Sequence, residues 1–175
     1  MVMRQIVTLR EATQEDWELI MAWRSSPSIL EGKYTAKKPL TWSEHYTFMT
    51  TRGRWWKFFI ILLNDFVTTR KVGVVNLGQL ENWNPEINSY IGEASLDDPY
   101  IEREALLLAI EWLKARGYQK LHTTVPDTNE RWINLLGSLG FKRVGDARKG
   151  ESTWEKYIAD TDGTVEYVTG RRSLS

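Results

Sequence analysis

Apolar positions fall into short runs whose period switches between two and three-to-four along the chain. Residues 6–9 read as a first strand, and Thr13 with Asp16 three positions later forms a capping pair that opens a helix through Arg24, stopped by Ser26-Pro27. Thr41-Trp42-Ser43-Glu44 is a fuller capping box; it starts a helix that reaches about Arg52, before Gly53, with His45, Phe48 and Met49 on one face. Runs of β-branched and aromatic residues at 56–63, 72–80 and 87–96 are separated by Asn64-Asp65 and by Asn82 to Pro85. They predict an antiparallel meander.

The strongest helical period follows, with Ile101, Ala105, Leu108, Ala109, Trp112 and Leu113 on one stripe and Gly117 as its C-cap. Residues 120–125 predict a strand, 129–139 a helix closed by Gly140, 141–147 a strand, and 153–159 its hairpin partner across Lys149-Gly150. Strands alternating with helices in this half require a crossover between parallel neighbours. The expected class is therefore α/β (α+β): a mixed, mostly antiparallel twisted sheet of about seven strands with about four helices. With no linker or repeat in view, residues 1–159 read as one domain and 160–175 as an extension. In that extension Asp162-Gly163 marks a turn, and 164–168 would form a strand able to join a partner's sheet edge as a homodimer; 171–175 read as a frayed tail.

Composition narrows the class further. Hydrophobic residues make up 42% and charged residues 26%, the balance of a chain that folds on its own. Lys plus Arg and Asp plus Glu are 23 each, so no net field draws the chain to nucleic acid or to an anionic membrane. Absence of Cys excludes disulfides, thiolate metal sites and cysteine nucleophiles, and fits a reducing compartment. The start of the chain lacks a signal-peptide apolar run, and the apolar stretch at 58–63 falls far short of the ~20 residues that span a bilayer. A cytoplasmic protein with neither nucleic acid nor membrane as partner is expected. No metal-ligand spacing, phosphate-binding Gly-rich loop or Gly-x-Ser-x-Gly elbow is present. Arg52, Arg54, Lys57 and Arg70-Lys71, interleaved with Trp55 and Trp56, read as a solvated basic face.

Tyr90-Ile91-Gly92-Glu93, Glu111-Trp112-Leu113-Lys114, Asn129-Glu130-Arg131 and Leu139-Gly140-Phe141-Lys142-Arg143-Val144-Gly145 occur in an order and spacing that resembles the GNAT N-acetyltransferase superfamily. The match runs over about residues 6–158, and is strongest to bacterial and archaeal members that acetylate protein N-termini or amino sugars. The resemblance implies transfer of an acetyl group from acetyl-CoA to a primary amine. It also implies a groove between the strands at 87–96 and 120–125, where the pantetheine lies like an extra strand. Cofactor contacts would come from Ala94, Leu96, Tyr100, Ile101, Glu102, Arg103, Asn129 and Arg131, with the diphosphate on a helix N-terminus. Asn129 reads equally as an N-cap of its own helix.

Two departures open a rival reading. The family's Gln/Arg-x-x-Gly-x-Gly/Ala loop is here Asp97-Asp98-Pro99-Tyr100-Ile101-Glu102, an N-cap and N1 proline that close the helix end themselves. Glu102 and Glu104 are expected to add negative charge at the exposed helix start, against a diphosphate, and Tyr100 to close it sterically. Leu136 stands where the family often has a tyrosine acid. The alternative to an enzyme is thus a non-catalytic, degenerate member serving as a binding or regulatory module. If the chain is an enzyme, the base that deprotonates the amine comes from Glu93, then Glu86 or Glu81, or from His122. Each carboxylate also reads as a surface group, and His122 as a cross-strand partner of Thr124. His45 is a further candidate in a helix that would cover the acceptor, and also reads as a structural histidine. Trp42, Trp55, Trp56, Trp83 and Tyr34 read as an aromatic acceptor rim or as packing.

Overall fold

Strands β1 (Ile6–Glu11), β2 (Lys57–Asn64), β3 (Thr69–Gly78), β4 (Glu86–Ile91), β5 (Lys120–Pro126), β6 (Lys142–Arg148) and β7 (Glu151–Tyr157) form one sheet in the computed structural model. The spatial order is β1-β2-β3-β4-β5-β7-β6. Residues 5–31, 38–93, 95–96 and 98–159 are described. Neighbours are antiparallel except β4 and β5, so the mixed sheet follows the expected class. The helices are α1 (Trp17–Arg24), α2 (Pro27–Glu31), α3 (Trp42–Thr51), α4 (Pro99–Lys114) and α5 (Glu130–Ser138). The helix expected from Thr13 begins as a 3-10 turn at Gln14–Asp16. Pro27 ends one helix and opens another, because its fixed φ suits a first helical position. The expected strand and tail at 160–175 lie outside the described residues.

Both sheet faces are covered, which explains the unbroken apolar run of β2. Phe59, Ile61 and Leu63 join α4 and α5 in one core with Val75, Leu77, Ile87, Leu121 and Val125. Ile60 faces the other way, toward Ile20, Trp23 and Met49 of α1 and α3, with Val74 and Tyr90. The α4 stripe is wider and rotated from the expected one. Leu106 and Ile110 are buried beside Ala105, Ala109 and Leu113, whereas Leu108 is 39% exposed. Glu102 is also interior, as the site below explains.

Two local devices set the orientation of α1. Asp16 is 1% exposed and accepts both Arg10 guanidinium nitrogens at 2.9 and 3.0 Å, Lys71 at 2.8 Å and the Thr13 N–H at 2.8 Å. It thereby ties the helix entry to β1 and β3, and the Arg10 bonds hold its carboxyl far below the ordinary value. Trp23 lies on Gly92, where an added Cβ would come 2.1 Å from the indole. Beyond Ile91 the N–H groups of Gly92 and Glu93 both turn to Val72 O, at 2.8 and 3.3 Å, so β4 stops short of the expected end at Leu96.

Candidate functional site

The crossover pair β4 and β5 touches at one register position, Glu86 opposite His122, with the His122 N–H donating to Pro85 O at 2.9 Å. Beyond that point the strands diverge. The far edge of β5 is paired along its whole length to β7, from Lys120 to Pro126, and the end of β4 is drawn to β3 through Val72. A gap in the ladder results, lined by strand edges that lack a ladder partner. Thr123 Oγ1 spans it to Asn88 Oδ1 at 3.2 Å.

At the apex of this gap polar side chains converge. Glu86 accepts Asn88 Nδ2 at 3.1 Å and Gln79 Nε2 at 3.4 Å. His122 Nδ1 lies 3.0 Å from Asn84 O, and Asn84 Nδ2 donates to Glu155 at 3.2 Å. Trp83, 72% exposed, packs its ring 5.5 Å from that of Tyr118, whose hydroxyl donates to Leu80 O at 2.7 Å. Of the candidate bases singled out in the sequence, Glu86 and His122 are thus brought together. Glu93 is exposed beyond the end of β4, and Glu81 is exposed in the β3–β4 turn. Asn84 and Glu155 were not singled out: their place depends on the register of β7 against β5, which leaves no local mark in the sequence.

The wide end of the gap meets the start of α4. Asp98 caps it by accepting the Tyr100 N–H at 2.9 Å, with Pro99 in the first turn. The expectation that Glu102 presents charge to solvent there is overturned. Its residue is 1% exposed; one carboxylate oxygen accepts Ser89 Oγ at 2.7 Å and the other Arg131 Nη1 at 3.0 Å. The helix turns that side chain inward, where a β4 hydroxyl and an α5 guanidinium neutralise it. Tyr100 packs against the core, Ile101 is 2% exposed within it, and Arg103 lies 3.8 Å from Glu104. Leu96 donates its N–H to Glu93 O at 2.9 Å, and Asn129 caps α5 by accepting the Trp132 N–H at 3.2 Å. Ala94 and Asp97 lie outside the described residues, and Leu136 is fully buried in the core. Acetyl-CoA would fit this frame: unpaired strand edges offer peptide groups to a pantetheine amide, and the half-exposed side chains of Arg103 and Arg131 stand near the helix start.

On the opposite side of β4 a second polar set is enclosed by α1 and α3. His45 is fully buried, and neither ring nitrogen has a hydrogen-bond partner among the described residues; Arg24 Nη1 is also buried without one. Burial lowers the His45 pKa, with the nearby Trp17 backbone opposing this and Arg24 adding to it. Burial likewise raises that of Tyr90, against the pull of Arg24. The basic run is divided between rings and carboxylates: Arg52 lies 4.3 Å from the Phe48 and Trp56 rings and Arg54 4.4 Å from Trp55, whereas Lys57 pairs with Glu11 and Lys71 with Asp16. Trp42 and Tyr46 are each 45% exposed on α3. Tyr34 is outside the described residues. Among the described residues no three His, Asp or Glu side chains are grouped to hold a metal, and no helix is long and apolar enough to cross a membrane.

A family model described as an acetyltransferase (GNAT) domain matches residues 7–142. An uncharacterized protein of Methanocaldococcus jannaschii is 43% identical over 152 residues, 85% of this chain. The chain spans about a third (31%) of that relative's length. The crystal structure of a domain from the same organism superimposes with a TM-score of 0.84 at 42% identity, covering 88% of this chain and 99% of that one. A Vibrio cholerae spermidine N-acetyltransferase in complex with CoA and spermine gives 0.73 at 14% identity, covering 87% and 96%. An aminoglycoside acetyltransferase, AAC(6')-Ib, in complex with coenzyme A gives 0.72 at 18% identity, covering 87% and 95%.

Proposed function

The chain belongs to the GNAT acetyltransferase family, and from that premise we propose that it transfers the acetyl group of acetyl-CoA to a primary amine on a small molecule or a protein N-terminus. The observation that carries this reading is the β4/β5 gap with Glu86 and His122 at its apex. Bound acetyl-CoA supplies the acyl thioester, its pantetheine along the free edges of β4 and β5, its diphosphate near Arg103 and Arg131. The chain's own residues prepare the acceptor. Amine nitrogen attacks only when unprotonated, so a base must stand where the acceptor meets the thioester, and Glu86 and His122 occupy that end of the gap. Glu93 lies too far along the chain for this role. The Vibrio cholerae protein is bound to spermine in its crystal structure, which makes polyamines the first acceptors to try alongside aminoglycosides and peptides. The cytoplasm, where acetyl-CoA is made and thiols stay reduced, is the proposed location.

Calorimetric titration with acetyl-CoA, followed by thiol-release assays on these acceptors, tests the proposal. Micromolar binding with turnover is expected, and Glu86→Gln should lower kcat about a hundredfold or more with cofactor affinity unchanged. Absence of binding at millimolar acetyl-CoA would overturn it. That outcome favours a second reading, a binding or regulatory module, which the Asp98 cap on α4 and the buried Leu136 support.

A further inference from the structure

Strands distant in sequence place Glu86, His122 and Glu155 opposite one another in a row across β4, β5 and β7. Opposed residues of paired strands share a face, with Cβ atoms ~5 Å apart, so the imidazole stands between two carboxylates. All three residues are half-buried. None of the ion pairs among the described residues involves Glu86 or Glu155; the side chains that donate to them are neutral amides.

Asn84 fixes the protonation pattern of this row. Its backbone oxygen, 3.0 Å from His122 Nδ1, can only accept, so Nδ1 carries a hydrogen, and in the neutral ring the lone pair is on Nε2. Its side-chain amide is oriented by Glu155: the reverse orientation would set two oxygens against each other, so Nδ2 faces Glu155 and Oδ1 faces away. That Oδ1 is buried with no donor among the described residues. Lys142 stands opposite Glu155 on β6 but forms no ion pair with it, so Asn84 Oδ1, His122 and the two carboxylates present acceptors and negative charge with which no cation pairs among the described residues. A group carrying several N–H donors and a positive charge complements them.

We propose that this row is a binding site for the primary ammonium of the acceptor, with Asn84 and Glu155 as positioning residues. The inference rests on the acceptor side of the function proposed above. In the docked state an N–H bond of the ammonium breaks, its proton passes to His122 Nε2, and the electron pair stays on the now neutral nitrogen.

The site is testable without cofactor, because the chain has only two histidines and His45 is an internal reference. Titration with n-butylammonium, followed by NMR of the imidazole protons, should shift the His122 resonances saturably and leave those of His45 in place. Tetramethylammonium, of equal charge but without N–H groups, should bind at least tenfold more weakly. Glu155→Gln and Asn84→Ala should each weaken n-butylammonium at least tenfold, while Glu93→Gln changes nothing. Equal shifts from the two cations, or unchanged affinity in both variants, would overturn the site. If one variant fails to fold, the comparison of the two cations on the unaltered chain still decides. Ammonium binding without any acetyl-CoA binding would leave this site standing and sink the transfer reading; the converse would do the opposite.

Discussion

Asp16 carries a charge at 1% exposure because five donors surround it. Asp16→Asn leaves Arg10 and Lys71 facing a neutral group and should cost about 2–4 kcal/mol in urea denaturation. Because the folded pKa is depressed, this contribution is complete above the ordinary carboxylate value of 3.8 and is lost as pH falls below it. His45 acts in a different window. Its folded pKa is lowered from 6.5, chiefly by burial, so stability is full above pH 6.5 and declines on acidification, as the unfolded chain takes up the proton first. Melting temperatures between pH 7.5 and 5.5 should fall in the natural chain and more shallowly in His45→Leu; parallel curves would reject this origin. The sequence showed Asp16 as half of a capping pair, yet Lys71, 55 residues away, became its partner only through the register of β3. His45 was legible as a helix-face histidine, while Arg24 beside it carried no signal, since an arginine near a helix end ordinarily reads as solvated.

Helix α4 shows how far a periodic pattern reaches. Its existence and limits were plain, but residues at 105, 108, 109 and 112 fit a stripe too narrow for a helix that packs across β1, β3 and β4 together. Leu106→Ala should destabilise by about 2–5 kcal/mol and Leu108→Gln by less than about 0.5, measured by chemical denaturation. The end of β4 was misread for a related reason: apolar residues continue to Leu96, yet the backbone has already turned to Val72. Gly92 enforces that turn's contact with α1. Gly92→Ala should displace the Trp23 indole and lower the melting temperature by several degrees, with a blue-to-red shift in tryptophan emission as the readout.

Across the whole molecule, the order of elements was enough to anticipate the mixed sheet, because a β-α-β crossover dictates a parallel neighbour, whereas the gap was expected only from the family resemblance. The row from Glu86 to Glu155 was not: three strands must align in register before those side chains meet, and two of its positions look like ordinary surface carboxylates when read along the chain. The same single bridge between β4 and β5 has a consequence for folding. It divides the sheet into a four-stranded part, β1 to β4, and a three-stranded part, β5 to β7, each held by multi-residue ladders and joined mainly through the helices over one face. Amide protons in the central ladders of β2 with β3 and of β5 with β7 should therefore exchange in two separately protected groups, each opening as its own cooperative unit, with the strand edges facing the gap exchanging first.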